Sequence, residues 1–563
     1  MSEFTMSIGF EFFEELRESG CYYVDKTELI YRLASEQKAK VTLFTRPRRF
    51  GKTLAMTMLQ SFFDITRDSR KVFEGLAVTG HEEFCREWMN QYPVLFISLK
   101  DVQGLNFNGA YGMLRVLIAN LCKDHPYLLA SEKVDENDRA EFSKLKACSS
   151  DESQINNSLR TLTRMMYAHY GKPVILLIDE YDVPLAKSHD ADKESQDYYP
   201  KMLETIKGFM GSALKTNQYL KLAVITGCLR ISKESIFTGL NNFAVYSVLD
   251  EKFSNSFGFT EAEVEEILVR AGHPDKLDLV KSWYDGYIFG NSEVFCPWDV
   301  SCYVSDVMYT SDKKPGNYWK NTSGNAILDE FVGDSKFDVS EKFETLMNGG
   351  SIEQTITDQL TYGELANDEN NLWSVLFMTG YLTKVDPGES GDTVHLKIPN
   401  AEIFSIFEDS VVRHFKKSMD RNVQKEVMDA FWGGDDARVS NLVSDLLWDT
   451  ISYNNYHENY YHAFITGIFV GQSYSVKSDQ ENGLGRTDLI VRDRKNRRAM
   501  IIEAKKADRE EDMEKMCLEG KQQIIDRKYI KGLKGYRQIL CYGISFFEKT
   551  ALVRLLDMEE ARI

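Results

Sequence analysis

Leu43-Phe44-Thr45-Arg46-Pro47-Arg48-Arg49-Phe50-Gly51-Lys52-Thr53 decides how the rest of the chain is read. A β-prone run, Val41 to Phe44, leads into it, and an amphipathic helical pattern, Leu54 to Phe63, follows. A strand, a tight loop closing on Gly-Lys-Thr and then a helix make the setting of a phosphate-binding loop. In that reading Gly51 lets the backbone approach a phosphate and Lys52 reaches the β- and γ-phosphates of a nucleotide. The Thr53 hydroxyl ligates Mg²⁺, and the free N–H groups at the helix start face the anion. Arg46, Arg48 and Arg49 add cationic charge that suits polyphosphate. The usual pattern has glycine where Arg46 stands. The bland alternative is a chance Gly-Lys-Thr in a basic turn; an acidic strand downstream favours the loop.

That strand is Pro173-Val-Ile-Leu-Leu-Ile-Asp179-Glu180-Tyr181-Asp182, five aliphatic residues ending in carboxylates. Delivered beside a phosphate loop, Asp179 would hold Mg²⁺ through water and Glu180 would polarise the attacking water. Alone, it would read as a strand ending in solvated acids; the pairing is the specific signal. Leu222 to Thr226 is a further buried strand, followed by Gly227 and Arg230. A polar residue at that strand end could sense the γ-phosphate and Arg230 could contact it, in cis or across the boundary of a homo-oligomer. A plain turn with a surface arginine is the competing reading.

The chain of 563 residues, 43% hydrophobic, has material for several cores, and about 150 residues per domain suggests three or four units. A net charge of −18 argues against a whole-surface nucleic-acid binder but leaves room for a local basic groove. The nine cysteines form no Cys-x-x-Cys pair and read as thiols of a reducing cytoplasm. The first residues carry no secretory pattern, and no stretch approaches the roughly 20 apolar residues of a membrane span. A cytoplasmic protein without a membrane partner is expected.

Strands alternating with helices predict a mostly parallel α/β sheet with ligand at the strand C-termini. Within this N-terminal half, Tyr92 to Leu99 reads as a strand, Gly109 to Cys122 and Ser158 to Tyr170 as helices, and Asp135 to Glu152 as a solvated connection. Thr260 with Glu263 makes a capping box that opens a lid-like helix. Trp283-Tyr-Asp-Gly-Tyr287 and Cys296-Pro-Trp298 read as packing devices. Further on, an apolar helix, Leu372 to Thr379, precedes a hairpin of Tyr381 to Lys384 and Val394 to Ile398. Helix plus hairpin suggests a winged-helix shape, with a packing or hinge role favoured over DNA contact. The expected divisions are 1–300, a P-loop ATPase-like domain with helical lid; 301–415, a helical, winged-helix-like middle; and 416–563, a restriction-endonuclease-like α/β domain.

The last division holds a second constellation. Asp488 opens a strand, a basic turn spans Arg492 to Arg498, and Ala499-Met-Ile-Ile-Glu503-Ala504-Lys505 returns. Residues i and i+2 of a strand share a face, so Glu503 and Lys505 point together, and a hairpin sets Asp488 beside Glu503. Two acids converging with a lysine suit Mg²⁺-dependent phosphodiester hydrolysis, the acids holding metal and the lysine positioning water. Gln523, on a later helix, could orient that water. Many surface hairpins carry this spacing, so spacing alone does not settle it. Arg494, Lys495, Arg497 and Arg498 read either as a solvated loop or as a track for a phosphate backbone.

With both constellations in view, the chain resembles a bacterial family joining an N-terminal AAA-like ATPase domain to a C-terminal PD-(D/E)XK nuclease domain. The residues that carry this are Tyr23-Val-Asp-Lys-Thr27, Arg46-Pro-Arg-Arg-Phe-Gly-Lys-Thr53, Leu177-Ile-Asp-Glu-Tyr181, Gly239-Leu-Asn-Asn242 and Trp283-Tyr-Asp-Gly-Tyr287. Gly380-Tyr-Leu-Thr383, Pro399-Asn400, Glu458-Asn-Tyr-Tyr-His462 and Gly483-Leu-Gly-Arg486 add to them. The resemblance implies that Arg46 is the family's own variant of the phosphate cradle. It also implies that Asp488, Glu503 and Lys505 are a nuclease triad, with Glu458 as a helix carboxylate toward metal and Gln523 as support. Thr487 and Ala504 stand where larger neighbours are usual, which bears on pocket shape. ATP and Mg²⁺ are the expected cofactors and nucleic acid, DNA foremost, the expected partner, with defence against mobile DNA as a role suggested by the architecture. The alternative is an ATP-driven switch whose nuclease-like domain binds nucleic acid or protein without cutting.

Overall fold

A computed structural model of the chain describes residues 4–36, 38–191, 197–230, 236–237, 242–319, 328, 339–357, 360, 368–388, 391, 393–418, 420–450, 458–469, 474–482, 485–527, 529–533 and 535–556. The chain divides into two compact units, Met1–Gly324 with Glu353–Glu402, and Asn325–Ile352 with Ile403–Ile563.

The first unit is organised by β1 (Val41–Thr45), β2 (Val94–Ser98), β3 (Val174–Asp179), β4 (Leu220–Gly227) and β5 (Phe243–Tyr246), all parallel, in the order β2-β3-β4-β1-β5. Every residue of β1 and β3 is buried, as unbroken apolar runs covered on both faces should be. Since β4 lies between β1 and β3, the ends of these three strands, Thr45, Gly227 and Asp179, come side by side. An open parallel sheet takes its ligand at that edge. The helix after β1, Lys52–Phe63, buries Met56, Met58, Leu59, Phe62 and Phe63.

The solvated connection expected over Asp135 to Glu152 is instead largely a helix, Glu136–Lys146. Its charged run hides two apolar anchors, Phe142 and Leu145, both buried, and Asp135 caps it by accepting from Asn137 N–H. Tertiary packing here overrides a weak pattern. The Thr260–Glu263 capping box forms as expected, and Glu263 also accepts from Lys26 Nζ at 2.7 Å through both oxygens. Tyr284 and Tyr287 are fully interior, in keeping with a packing role, and Tyr287 opens a small hairpin of β6 (Tyr287–Phe289) and β7 (Ser292–Val294). The expected hairpin forms from β9 (Thr383–Lys384) and β10 (Thr393–Lys397). A third strand that the sequence reading did not see, β8 (Ile352–Thr355), extends this sheet in the order β8-β10-β9.

The second unit is built on a mixed sheet of β11 (Ser475–Asn482), β12 (Gly485–Asp493), β13 (Arg498–Lys506), β14 (Gln538–Phe547) and β15 (Thr550–Leu555), in sequence order. Only β13 and β14 pair in parallel, and the helix Met513–Asp526 makes their crossover. Helices Arg421–Gly433, Asp436–Thr450 and Glu458–Phe469 also belong to the unit, with Tyr542 Oη donating to Phe431 O at 2.5 Å.

The crossover helix approaches the sheet most closely at Gly543. A Cβ on Gly543 would stand 2.2 Å from Cys517 O, a backbone atom that cannot yield without moving the helix. Gly543→Ala is therefore expected to destabilise this unit by about 3 kcal/mol or more, the scale of a strongly overpacked core. A urea transition followed by tryptophan fluorescence checks this, and an unshifted midpoint would contradict the close approach.

Among the described residues no helix is long and apolar enough to cross a membrane.

Candidate functional site

The loop after β1 starts as a continuation of the sheet, with Arg46 N–H donating to Gly227 O at 3.1 Å. It then turns through two left-handed residues, Arg49 at φ 71° and Gly51 at φ 80°. Gly51 takes that conformation without a Cβ penalty and frees the N–H groups of the following helix start. Lys52 folds back over the loop. Its ammonium donates to Arg46 O at 3.1 Å and Pro47 O at 3.0 Å, and Glu180 Oε1 lies 3.8 Å away.

The acids stand at the end of β3. Thr53 Oγ1 donates to Asp179 Oδ2 at 2.9 Å, and Thr226 Oγ1, from the end of β4, donates to Asp179 Oδ1 at 2.5 Å. Burial raises the Asp179 pKa, with the hydrogen bond from Thr226 opposing it. Glu180 sits at φ 55°, a strained left-handed backbone for a residue with a side chain, which turns its carboxylate toward Lys52. A cavity of about 520 Å³ opens here, lined in part by Arg48, Arg49, Gly51, Lys52, Thr53 and Glu180. The hydroxyl and carboxylate brought together by Thr53 and Asp179 are the hard oxygen donors that Mg²⁺ takes, so the donor chemistry fits the ion.

Arg46 requires a correction. Its side chain does not face the phosphate loop but is wholly buried beneath it. The guanidinium donates to Thr45 O and Tyr246 O at 2.8 and 2.9 Å and to Phe253 O at 3.2 Å, between the rings of Phe257 and Phe289. Burial draws its pKa down to about 10, which leaves it charged at neutral pH. It ties β1 to the β5 side of the sheet. Arg46→Met is expected to cost about 3 kcal/mol, since three carbonyls lose their donor, while the nucleotide affinity of the folded protein stays within about twofold. Chemical denaturation alongside a nucleotide titration separates the two effects. Arg49 lines the cavity with its guanidinium 4.4 Å over the Trp298 ring. Arg230 lies beyond the end of β4, half-buried, and is not among the residues that line the cavity.

Two contributors went unread in the sequence. Asp182, the last acid of the β3 motif, is buried, and its Oδ2 accepts from Cys228 N–H at 2.9 Å and Leu229 N–H at 3.0 Å. It thereby fixes the chain beyond β4 against the acidic turn. Burial, reinforced by Glu180, lifts its pKa to about 6. Ser98, at the end of β2, donates to Asp179 Oδ2 at 3.3 Å. The acidic tail of the β3 motif was the available signal for Asp182; Ser98 had none.

In the second unit, Glu503 is completely buried on β13 and accepts from Gln523 Nε2 at 3.1 Å. Gln523 is delivered by the crossover helix and also approaches Tyr529 Oη at 3.4 Å. Lys505 is two residues on along β13, on the Glu503 face and half-buried. Asp488 stands on β12 directly before Leu489, whose partner on β13 is Ile502. The side chains of Asp488 and of Glu458, at the start of its helix, lie outside the described residues. Within the described residues the oxygen donor of this site is Glu503, and no group of three metal-binding side chains gathers among them. The basic turn, Arg494 to Arg497, is exposed, whereas Arg498 pairs with Asp493 at 2.8 Å.

These features define an α/β protein with a phosphate-loop site in a parallel sheet and a carboxylate–lysine pair in a mixed sheet. Residues 7–237 match the family described as a predicted AAA-ATPase, and residues 456–554 match the PD-(D/E)XK nuclease superfamily. Along most of its length the chain is also similar to an uncharacterized protein in the vnfD 5′ region of Azotobacter chroococcum mcd 1. The two are 24% identical over 511 residues, which is 87% of each chain.

Proposed function

We propose that the first unit binds and hydrolyses ATP with Mg²⁺ and that this licenses the C-terminal unit to cleave nucleic-acid phosphodiesters, DNA foremost. The observation that carries the reading is the Thr53–Asp179 contact beside the Lys52–Glu180 pair, at the ligand edge of the parallel sheet. Lys52 and the N–H groups after Gly51 receive the phosphates, with Arg49 at the cavity wall. Thr53 and Asp179 hold Mg²⁺, which when bound neutralises charge developing on the phosphates. Glu180 accepts a proton from, and orients, the attacking water. Arg230 reaches the γ-phosphate, in cis or from a second copy in a homo-oligomer. In the C-terminal unit, Asp488 and Glu503, with Glu458, hold Mg²⁺; Lys505 positions water, and Gln523 fixes the Glu503 carboxylate. The setting is the cytoplasm and the role defence against mobile DNA.

Incubating the full chain with plasmid and linear DNA, with and without ATP and Mg²⁺, tests this. Cutting that needs both, and that disappears in Lys505→Ala while ATP hydrolysis continues, is the expected outcome. Cleavage that survives Asp488→Ala combined with Lys505→Ala would end the nuclease reading. The complete burial of Glu503 favours one other reading, a nucleotide-driven switch that grips nucleic acid or protein without cutting. Calorimetry with Mn²⁺ distinguishes them, because the switch has no need of a metal at Glu503.

A further inference from the structure

We propose that Lys100 is a second lysine of the phosphate site, engaging the terminal phosphate of ATP, and that Glu11 holds its place when no nucleotide is bound. The proposal rests on the ATP reading above and adds a residue that no phosphate-loop pattern contains.

The sheet puts Lys100 at the site. β2 neighbours β3, Ser98 is in register with Asp179, and Leu99 N–H donates to Asp179 O at 2.9 Å. Lys100 therefore emerges at the ligand edge of the sheet beside the acidic turn, on the side away from the phosphate loop. It lines the same cavity as Lys52, Thr53 and Glu180.

The two lysines are held very differently. Lys52 is 4% exposed and committed to two loop carbonyls and Glu180. The Lys100 ammonium meets Glu11 Oε2 at 2.5 Å, in a pair whose side chains are 42% and 50% exposed. An ion pair in such contact with water is screened and weakly held. The oxygens of a triphosphate carry more charge than one carboxylate and form strong charge-assisted hydrogen bonds. An exchange of Glu11 for phosphate therefore costs little and gains a stronger partner. The hydrogen bond from Lys100 to Glu11 raises the lysine pKa above its ordinary value against the lowering by burial, so the ammonium is charged in the pair.

Glu11 is anchored for this part. Its carbonyl accepts from Thr57 Oγ1 at 2.7 Å, on the helix that follows the phosphate loop, and Phe13 N–H donates to the same hydroxyl at 3.2 Å. The backbone is thus fastened to the loop helix while the carboxylate reaches Lys100. In a cavity bordered by Arg48, Arg49, Lys52 and Lys100, that carboxylate supplies negative charge of the kind a phosphate would bring.

Nucleotide affinities of the full chain test the exchange, with Mg²⁺, ATPγS and ADP as probes. Lys100→Met is expected to weaken ATPγS about tenfold, a change of about 1.4 kcal/mol. ADP, which lacks the terminal phosphate, should stay within about twofold. Glu11→Gln is expected to tighten ATPγS about threefold, and the double variant should bind no tighter than Lys100→Met, which is the signature of coupling. If Lys100→Met leaves the ATPγS-to-ADP ratio unchanged while Lys52→Ala abolishes binding, the proposal falls and the ATP reading stands. If the unmodified protein binds neither nucleotide, the ATP reading falls and takes the proposal with it.

Discussion

Lys52→Ala is expected to lose nucleotide binding and, in the same protein, to lower the melting temperature of the first unit. Both follow from where the ammonium sits. It is almost fully buried, and burial alone would lower its pKa. The Cys228 sulfur and the carboxylates of Glu180, Asp182 and Asp179 outweigh that and hold it above the ordinary lysine value. Lys52 is thus the counter-charge for a crowd of acids as well as the proposed receptor for phosphate. Removing it leaves buried carboxylates unpaired, a loss of about 3–5 kcal/mol in comparable pairs. In a unit of this size that corresponds to a fall in Tm of about 4–6 °C. The loss of ATP affinity should exceed about 100-fold, equivalent to about 2.7 kcal/mol. Scanning fluorimetry with and without Mg²⁺-ATP reads both quantities. A variant that melts like the parent and is still shifted by ATP would place the lysine outside the phosphate site.

Glu503→Gln is expected to separate function from stability in the second unit. The glutamate is completely buried, with Gln523 donating to one of its oxygens at 3.1 Å. Glutamine keeps the shape and leaves an oxygen to accept that hydrogen bond while removing a charge that is costly to bury. Stability should hold or rise by about 1–2 kcal/mol. Metal-dependent cleavage should fall by about 1000-fold, close to 4 kcal/mol in the barrier, because an amide is a poor ligand for a hard divalent cation. Such opposition is common where a site is built against the preference of its surroundings. A plasmid-nicking time course with a urea titration checks the pair. Cleavage at the parental rate in the glutamine variant would remove Glu503 from the chemistry.

What could be read along the chain was whatever consecutive residues encode. The loop from Arg46 to Thr53, the aliphatic run into Asp179 and the capping box at Thr260 are short-range patterns whose geometry follows from strand and helix periods. The alternation around Glu503 and Lys505 is of the same kind. The helix Glu136–Lys146 escaped because only Phe142 and Leu145 mark its buried side, and the short strand β8 acquires meaning only beside β10. Arg46 departs from its expected place for a different reason. Its cationic charge was legible, but its direction was not, because the carbonyls of Tyr246 and Phe253 that receive it lie about 200 residues away.

Consecutive residues alone establish a phosphate-loop motif followed by an acidic strand, a parallel α/β sheet around them and a carboxylate–lysine strand in the C-terminal unit. Each is written in neighbouring residues, and local backbone preferences suffice to express it. Which groups stand together is settled by folding: Thr53 against Asp179, Lys52 against Glu180, Gln523 against Glu503, and Glu11 against Lys100. Those meetings depend on the order of strands in a sheet and on which glycine lets a helix approach, and no local spacing records either.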